Sequence, residues 1–438
     1  MAQELDWLLK LASASTQERA SLYERWEPES PCVGDNGIER QLPLSQFLMD
    51  VYHQGRVAEL LTSLQQLIEE GIQPNLKEFT DLVQEIVRRP WFLSQRELEI
   101  VKHLQHNPTA SAEEIACRTG SHRKTVAHHL RRLFYALQIL PYPLINYPAV
   151  GLRHIQFWYR GTIKIPSSVY FFSRLSLMSS PLRKGWLIDT WKVPVGQENR
   201  LIGHYQQSER TGRIQKVVTK EVLSLGKHLS LAAYEPRVGW RLEPSLVKLM
   251  LQRALKGREI FTPQFMELMV YNSTGTPRLD GMDMRIIGAL IDDYLLSQSK
   301  ESLSLQLGIS RANLGERLDQ LESTGVIRPT LGVKAEKMAQ VVLRIPLTES
   351  QVLNALMRLP VAFFSLIESR DTGEREWLVF VKCPYPVAEM LTNSNWSKGI
   401  SLTSYSAQRL AFQSQHQLFA SYDSERNGWR PELLPNRI

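Results

Sequence analysis

At 438 residues with 43% hydrophobic side chains, the chain exceeds what one hydrophobic core organises and carries material for several. Lys and Arg outnumber Asp and Glu by 52 to 45, a net charge of +7 that favours polyanionic partners. The cysteines, Cys32, Cys117 and Cys383, lie far apart and never form a CxxC pair, which argues against a disulfide framework or a zinc knuckle. Met1 to Lys10 lacks the basic and apolar regions of a secretory signal, and no stretch approaches the ~20 apolar residues of a membrane span, so a soluble, cytoplasmic chain without a membrane partner is expected.

From the start to about Pro90 the pattern is helical. Val57, Leu60, Leu61, Leu64, Leu67 and Ile68 share one face up to Gly71, and Phe79, Leu82, Val83, Ile86 and Val87 repeat the spacing before Pro90. Between Leu93 and Pro141 three helices are predicted: Leu93 to Gln105, Ser111 to Thr119, and, after a turn at Gly120, a third through Leu133. Ser94 with Glu97 and Ser111 with Glu114 have the S-x-x-E spacing of a capping box.

The same pattern returns from Leu279 to Pro329. Placing Gly120 on Gly308 puts Arg123 on Arg311, Val126 on Leu314, Leu130 on Leu318, Leu133 on Leu321, Ile139 on Ile327 and Pro141 on Pro329, without a gap. The shared glycine, arginine and terminal Ile-x-Pro point to a duplicated helix-turn-helix.

Each unit is followed by strand alternation, Ile155, Phe157 and Tyr159 in the first copy and Ala339, Val341, Leu343 and Ile345 in the second. The second copy then reads as helix (350–357), strand (363–368), turn (371–373), strand (377–381), helix (386–396) and strand (401–407), the ferredoxin-like βαββαβ order. In the first copy a helix is expected near 168–178, with strands near 186–191, 201–207 and 228–234. A helix over 244–255 and a linker over 272–277 separate the copies.

The second helix of a helix-turn-helix reads DNA by offering its N-terminal residues to base edges while flanking residues hold phosphates. In the first copy Ser121, His122, Arg123, Lys124, Thr125, His128, Arg131 and Arg132 fall outward and Val126, Leu130 and Leu133 inward. In the second, Ser310 is the expected N-cap, Arg311, Asn313 and Arg317 fall outward, and Leu314, Leu318 and Leu321 inward. Residues 111–133 hold five basic and two acidic side chains, and residues 299–321 three of each, so the first copy is expected to bind DNA more strongly. The same helices could serve as protein-interaction modules. His103, His106, His122, His128 and His129 lack the spacing of a metal site, and no phosphate loop, HExxH or nucleophile elbow is present, so neither metal, cofactor nor catalytic residue is expected. Trp158, Tyr159, Trp186 and Trp191 read as sheet core.

The runs Leu279-Asp280-Gly-Met-Asp283-Met-Arg-Ile286-Ile287, Leu307-Gly308-Ile309-Ser310-Arg311 and Leu318-Asp-Gln-Leu321-Glu-Ser-Thr-Gly325-Val326-Ile327 resemble the helix-turn-helix of the Lrp/AsnC family of prokaryotic transcription regulators. The resemblance covers about 279–407 well and 93–234 more loosely; the first copy departs from it with Leu137 in place of Gly325. It implies an α+β multidomain chain: a helical domain (1–90), a winged helix-turn-helix (91–145), a ferredoxin-like α+β domain (146–240), a helical linker (241–278), a second winged helix-turn-helix (279–332), a second ferredoxin-like domain (333–422) and a tail (423–438). The implied function is nucleoid-associated, double-stranded-DNA-binding transcription regulation, with a small-molecule effector and either a homodimer or an intrachain pseudo-dimer. The alternatives are a tetrapyrrole decarboxylase of the sirohaem type, with Gly203-His204-Tyr205 at its substrate, and a non-catalytic chromatin or interaction protein.

Overall fold

The computed structural model describes residues 57–71, 78–79, 81–83, 86, 93–135, 139–164, 168–178, 185–236, 238–258, 268–271, 278–292, 300–333, 338–393, 403–412, 415–426 and 428–434. The linker expected over 272–277 lies outside them. The fold is mixed α+β and divides into two compact units, residues 1–100 with 111–139, and residues 101–110 with 140–438.

In the first unit, helix α1 (Val57–Glu69) buries Leu60 and Leu64, and Gly71 ends the run with φ +75°. Phe79, Val83 and Ile86 are likewise buried, as their helical spacing requires. The three helices of the first head follow: α2 (Gln95–His106), whose second half counts with the other unit, α3 (Ala112–Thr119) and α4 (Arg123–Tyr135). Both capping boxes form. The Ser94 amide donates to the Glu97 carboxylate at 2.8 Å and the Glu97 amide to Ser94 Oγ at 3.3 Å; the Ser111–Glu114 pair does the same at 2.6 and 3.2 Å. Gly120 then turns the chain at φ +60°, a left-handed position that a side chain would strain.

The second unit is built on antiparallel strands. After β1 (Ile139–Ile145) come β2 (Leu152–Gly161), β3 (Phe171–Met178), β4 (Trp186–Pro194), helix α5 (Glu198–Arg210) and β5 (Ile214–Leu229). Short strands β6 (Tyr234–Glu235) and β7 (Gly239–Trp240) lead to α6 (Pro244–Leu255) and β8 (Met269–Val270). The second head is α7 (Gly281–Asp292), α8 (Lys300–Leu307) and α9 (Arg311–Ser323), and its strand β9 (Ile327–Val333) pairs with β1. Next come β10 (Ala339–Pro346), α10 (Val352–Leu356), β11 (Val361–Ser369), β12 (Arg375–Cys383), α11 (Tyr385–Thr392) and β13 (Thr403–Phe412).

Eight of these strands close on themselves. Their order is β11-β12-β10-β13-β3-β4-β2-β5, and β5 pairs back onto β11, which leaves the ring without an open edge. Within each half, numbering the strands from the first, the order along the sheet is the same, 2-3-1-4 or its reverse. On the outside of the first half Phe157, Tyr159, Trp191 and Val193 pack against Leu201 and Tyr205 of α5. On the outside of the second half Leu343, Phe364 and Val379 pack against α6, α10 and α11. A third cluster, Trp158, Leu175, Ile188, Val222, Val342, Ile367, Leu378 and Tyr405, joins the halves across the inner face.

Three expectations for the first half are corrected. Residues 171–178 form a strand, not a helix: across a register shift between Phe171 and Ser173, Phe171 packs in the outer core while Leu175 and Leu177 pack in the inner cluster, so residues an even number apart lie on opposite faces. Residues 201–207 are helical, not extended, with Leu201, Tyr205 and Ser208 on one buried face. The strand expected over 228–234 ends at Leu229.

Candidate functional site

The first head presents the ridge that its sequence suggests. On α4, Val126, Leu130, Leu133 and Phe134 are buried, while His122, Arg123, Lys124, His128 and Arg131 are exposed and Ser121 and Thr125 half-buried. His122 stands where the second copy has Ser310, and both start the third helix. The Lys124 amide donates to His122 Nδ1 at 3.3 Å, and the Asn313 amide donates to Ser310 Oγ at 3.2 Å. A neutral His122 therefore carries its hydrogen on Nε2.

Arg132 and His129 are tied down. Glu97, the capping-box acid of α2, is fully buried and accepts from Arg132 Nη1 at 3.1 Å and lies 3.3 Å from His129 Nδ1. The second head repeats this device. Asp283, like Glu97 the acid three residues after the N-cap but two residues out of the duplication register, pairs with Arg317, which that register sets on His129. The Arg317 guanidinium donates to Asp283 at 2.6 Å, twice to Asp280 at 3.0 Å, and through Nε to Asn313 Oδ1 at 3.0 Å. Burial raises the Asp280 carboxyl, but hydrogen bonds from Arg317 and from the Asp283 and Met282 amides outweigh it and hold the group below the usual carboxylate range. Arg317, read from spacing as an outward reader, thus joins the first and third helices, whereas Ser310, Arg311 and Asn313 are exposed. The signal for this latch was the pair of acids at cap positions, each matched to a cation on the third helix.

The interior of the ring carries a second concentration of chemistry. On β4, Trp191 and Val193 belong to the outer core, so Lys192 between them turns inward, beside its register partner His154. Lys192 is 2% exposed, with Nζ 3.8 Å from the Tyr147 ring centroid and 5.0 Å from that of Phe172. His154 Nδ1 lies 3.4 Å from Tyr271 Oη. Burial lowers the Lys192 ammonium well below the usual lysine range; burial, then Lys192, lower His154 likewise. Further along the inner face, Glu376 pairs with Lys220 and, at 2.9 Å, with Arg344, both set over the Trp158 ring.

Outside the ring, Arg174 and Asp189 form a buried bidentate pair at 2.6 Å, and the Tyr159 and Tyr205 hydroxyls donate to the same carboxylate at 3.1 and 2.5 Å. Tyr205 is therefore core, its ring stacked 3.9 Å from Phe157, and Gly203-His204-Tyr205 offers no open tyrosine face to a substrate. Trp158, Tyr159 and Trp191 are buried sheet residues. Of the cysteines, Cys117 is exposed and Cys383 buried. Among the described residues no group of three or more His, Cys, Asp or Glu side chains is placed to hold a metal ion, and no helix is long and apolar enough to cross a membrane.

No protein-family model and no curated protein matches the chain. Among solved structures it is similar to a siroheme decarboxylase, NirDL, at 11% identity and a TM-score of 0.43, over 74% of this chain and 97% of that one. It is also similar to the structure titled PH0061, at 15% identity and a TM-score of 0.20, over 30% of this chain and 92% of that one. At such scores neither likeness carries an argument about what this chain does.

Proposed function

We propose that the chain is a DNA-binding transcription regulator whose first head enters the major groove with the N-terminal turn of α4. The observation that carries this reading is the exposure of His122, Arg123 and Lys124 in one turn, with His128 and Arg131 further along, on a helix that buries Val126, Leu130, Leu133 and Phe134. Arg123 and Lys124 reach base edges or phosphates there, and Arg131 holds the backbone. Ser310, Arg311 and Asn313 form the lesser surface of the second head. The repeated latch, Glu97 to His129 and Asp283 to Arg317, supports descent of both heads from one winged helix-turn-helix. The shared strand order of the two halves supports a pair of ferredoxin-like modules, and their closure into one ring supports an intrachain pseudo-dimer.

The test is fluorescence anisotropy on duplexes selected from genomic fragments, titrated at several salt concentrations. Joint replacement of Arg123 and Lys124 by Ala is expected to weaken binding at least tenfold. It should also flatten the log K against log salt slope by about 0.9 for each phosphate no longer neutralised. An unchanged affinity and slope would remove the first head from the interface.

A further inference from the structure

We propose that the inner face at one end of the ring binds a small aromatic carboxylate, with Lys192 as its counter-charge and the Tyr147, Tyr271 and Phe172 rings around it. The site stands independently of the DNA reading. Three facts place it. Lys192 is buried on the inner face, and among the described residues no carboxylate pairs with it. Two other buried cations of the unit are matched: Arg174 has Asp189, and Lys220 shares Glu376 with Arg344. What lies near the Lys192 ammonium instead is aromatic: the Tyr147 ring at 3.8 Å and the Phe172 ring at 5.0 Å, with Tyr147 in turn packed 5.6 Å from His154 and 6.2 Å from Tyr271.

An ammonium enclosed by rings satisfies its charge weakly, because cation–π attraction replaces only part of the lost hydration. Such a group sheds its proton or gains an anion. An aromatic carboxylate meets both demands of the site, its anion facing the ammonium and its flat body lying among the tyrosine and phenylalanine faces. A second lysine stands near the same aromatic cluster. Lys227, near the end of β5, lies 5.3 Å from the Tyr142 ring and 4.9 Å from that of Phe363, and favours the same sign of ligand. Burial of Lys192 gives binding a signature. The amine is disposed to be neutral on its own, so a carboxylate that pairs with the ammonium brings a proton with it.

The probe is salicylate, with salicylamide as its uncharged counterpart, titrated into the full chain by calorimetry in two buffers of different ionisation enthalpy. Salicylate is expected to bind at least tenfold more tightly than salicylamide, with uptake of about one proton. Lys192→Met, which keeps the stem and removes the charge, is expected to abolish both the preference and the uptake. Equal binding of the two probes, no binding of either at millimolar concentration, or salicylate affinity unchanged in Lys192→Met would overturn the proposal. If Lys192→Met does not fold, the wild-type chain decides alone: tight salicylate binding without proton uptake places the carboxylate away from Lys192 and overturns the proposal, and uptake supports it.

Discussion

In the first half of the ring, the layer between strands and helix holds a buried ion pair, Arg174 with Asp189, capped by the Tyr159 and Tyr205 hydroxyls; in the second half the corresponding cluster is apolar, with Leu343, Phe364, Val379 and Leu391. The two halves share a strand order, so the difference lies in side chains and not in topology. An apolar layer gains from every methylene buried and tolerates exchange of similar volumes. A buried ion pair is costly to break by removing one partner, and this one joins register partners on β3 and β4, Arg174 and Asp189. Burial, then the Asp189 carboxylate, push the Tyr159 and Tyr205 phenols up, so both remain donors to it across the working pH range.

The largest expected effect tests that contrast. Arg174→Met leaves Asp189 unpaired inside the first half and should cost about 3–5 kcal/mol in chemical denaturation. Leu343→Val in the second half removes one methylene and should cost about 0.5–1.5 kcal/mol. Comparable losses at both positions would mean that the ion pair is not what distinguishes the halves.

The heads offer a second, smaller contrast. Glu97 is fully buried and contacts both Arg132 and His129, whereas Asp283 contacts Arg317, which is a quarter exposed and shared with Asp280. Glu97→Gln should therefore destabilise by about 1–3 kcal/mol and Asp283→Asn by about 1 kcal/mol, since the more exposed pair is better screened. Hydrogen exchange along α4 and α9 reads each change locally. Faster exchange in α9 than in α4 would reverse the ranking.

The smallest effect concerns pH. Burial, then Lys382, pull the Lys227 ammonium from 10.5 down to about 7. A group lowered on folding binds more protons in the unfolded chain, so stability rises with pH from about 7 until the unfolded lysine itself titrates. Lys192 acts in the same direction. Lys227→Met should flatten this rise between pH 7 and 10.5, and an unchanged profile would remove Lys227 from it.

The heads were legible because their signals are local: a serine and a carboxylate three residues apart, a glycine at a left-handed turn, a leucine every third or fourth residue. The latch was not, since Glu97 and Asp283 each do two jobs and only the cap is visible in the chain. The first half is less legible where a bulge at Phe171 to Ser173 puts residues an even number apart on opposite faces, and where few apolar residues, Leu201 and Tyr205 among them, mark a helical face on a mostly polar segment. Lys192 was invisible for a different reason. Its place inside the ring follows from β4 lying between β3 and β2, a long-range pairing that no window of sequence carries.

The most direct test compares the heads on one duplex. Arg317 is bound to Asp280 and Asp283, so the clean partner for Arg123→Ala, Lys124→Ala is Arg311→Ala. In a gel-shift titration the first-head double variant should lose at least tenfold in affinity and Arg311→Ala less, with both proteins folded by circular dichroism. Equal or reversed losses would contradict the claim that the cationic turn of α4 is the principal DNA-reading surface.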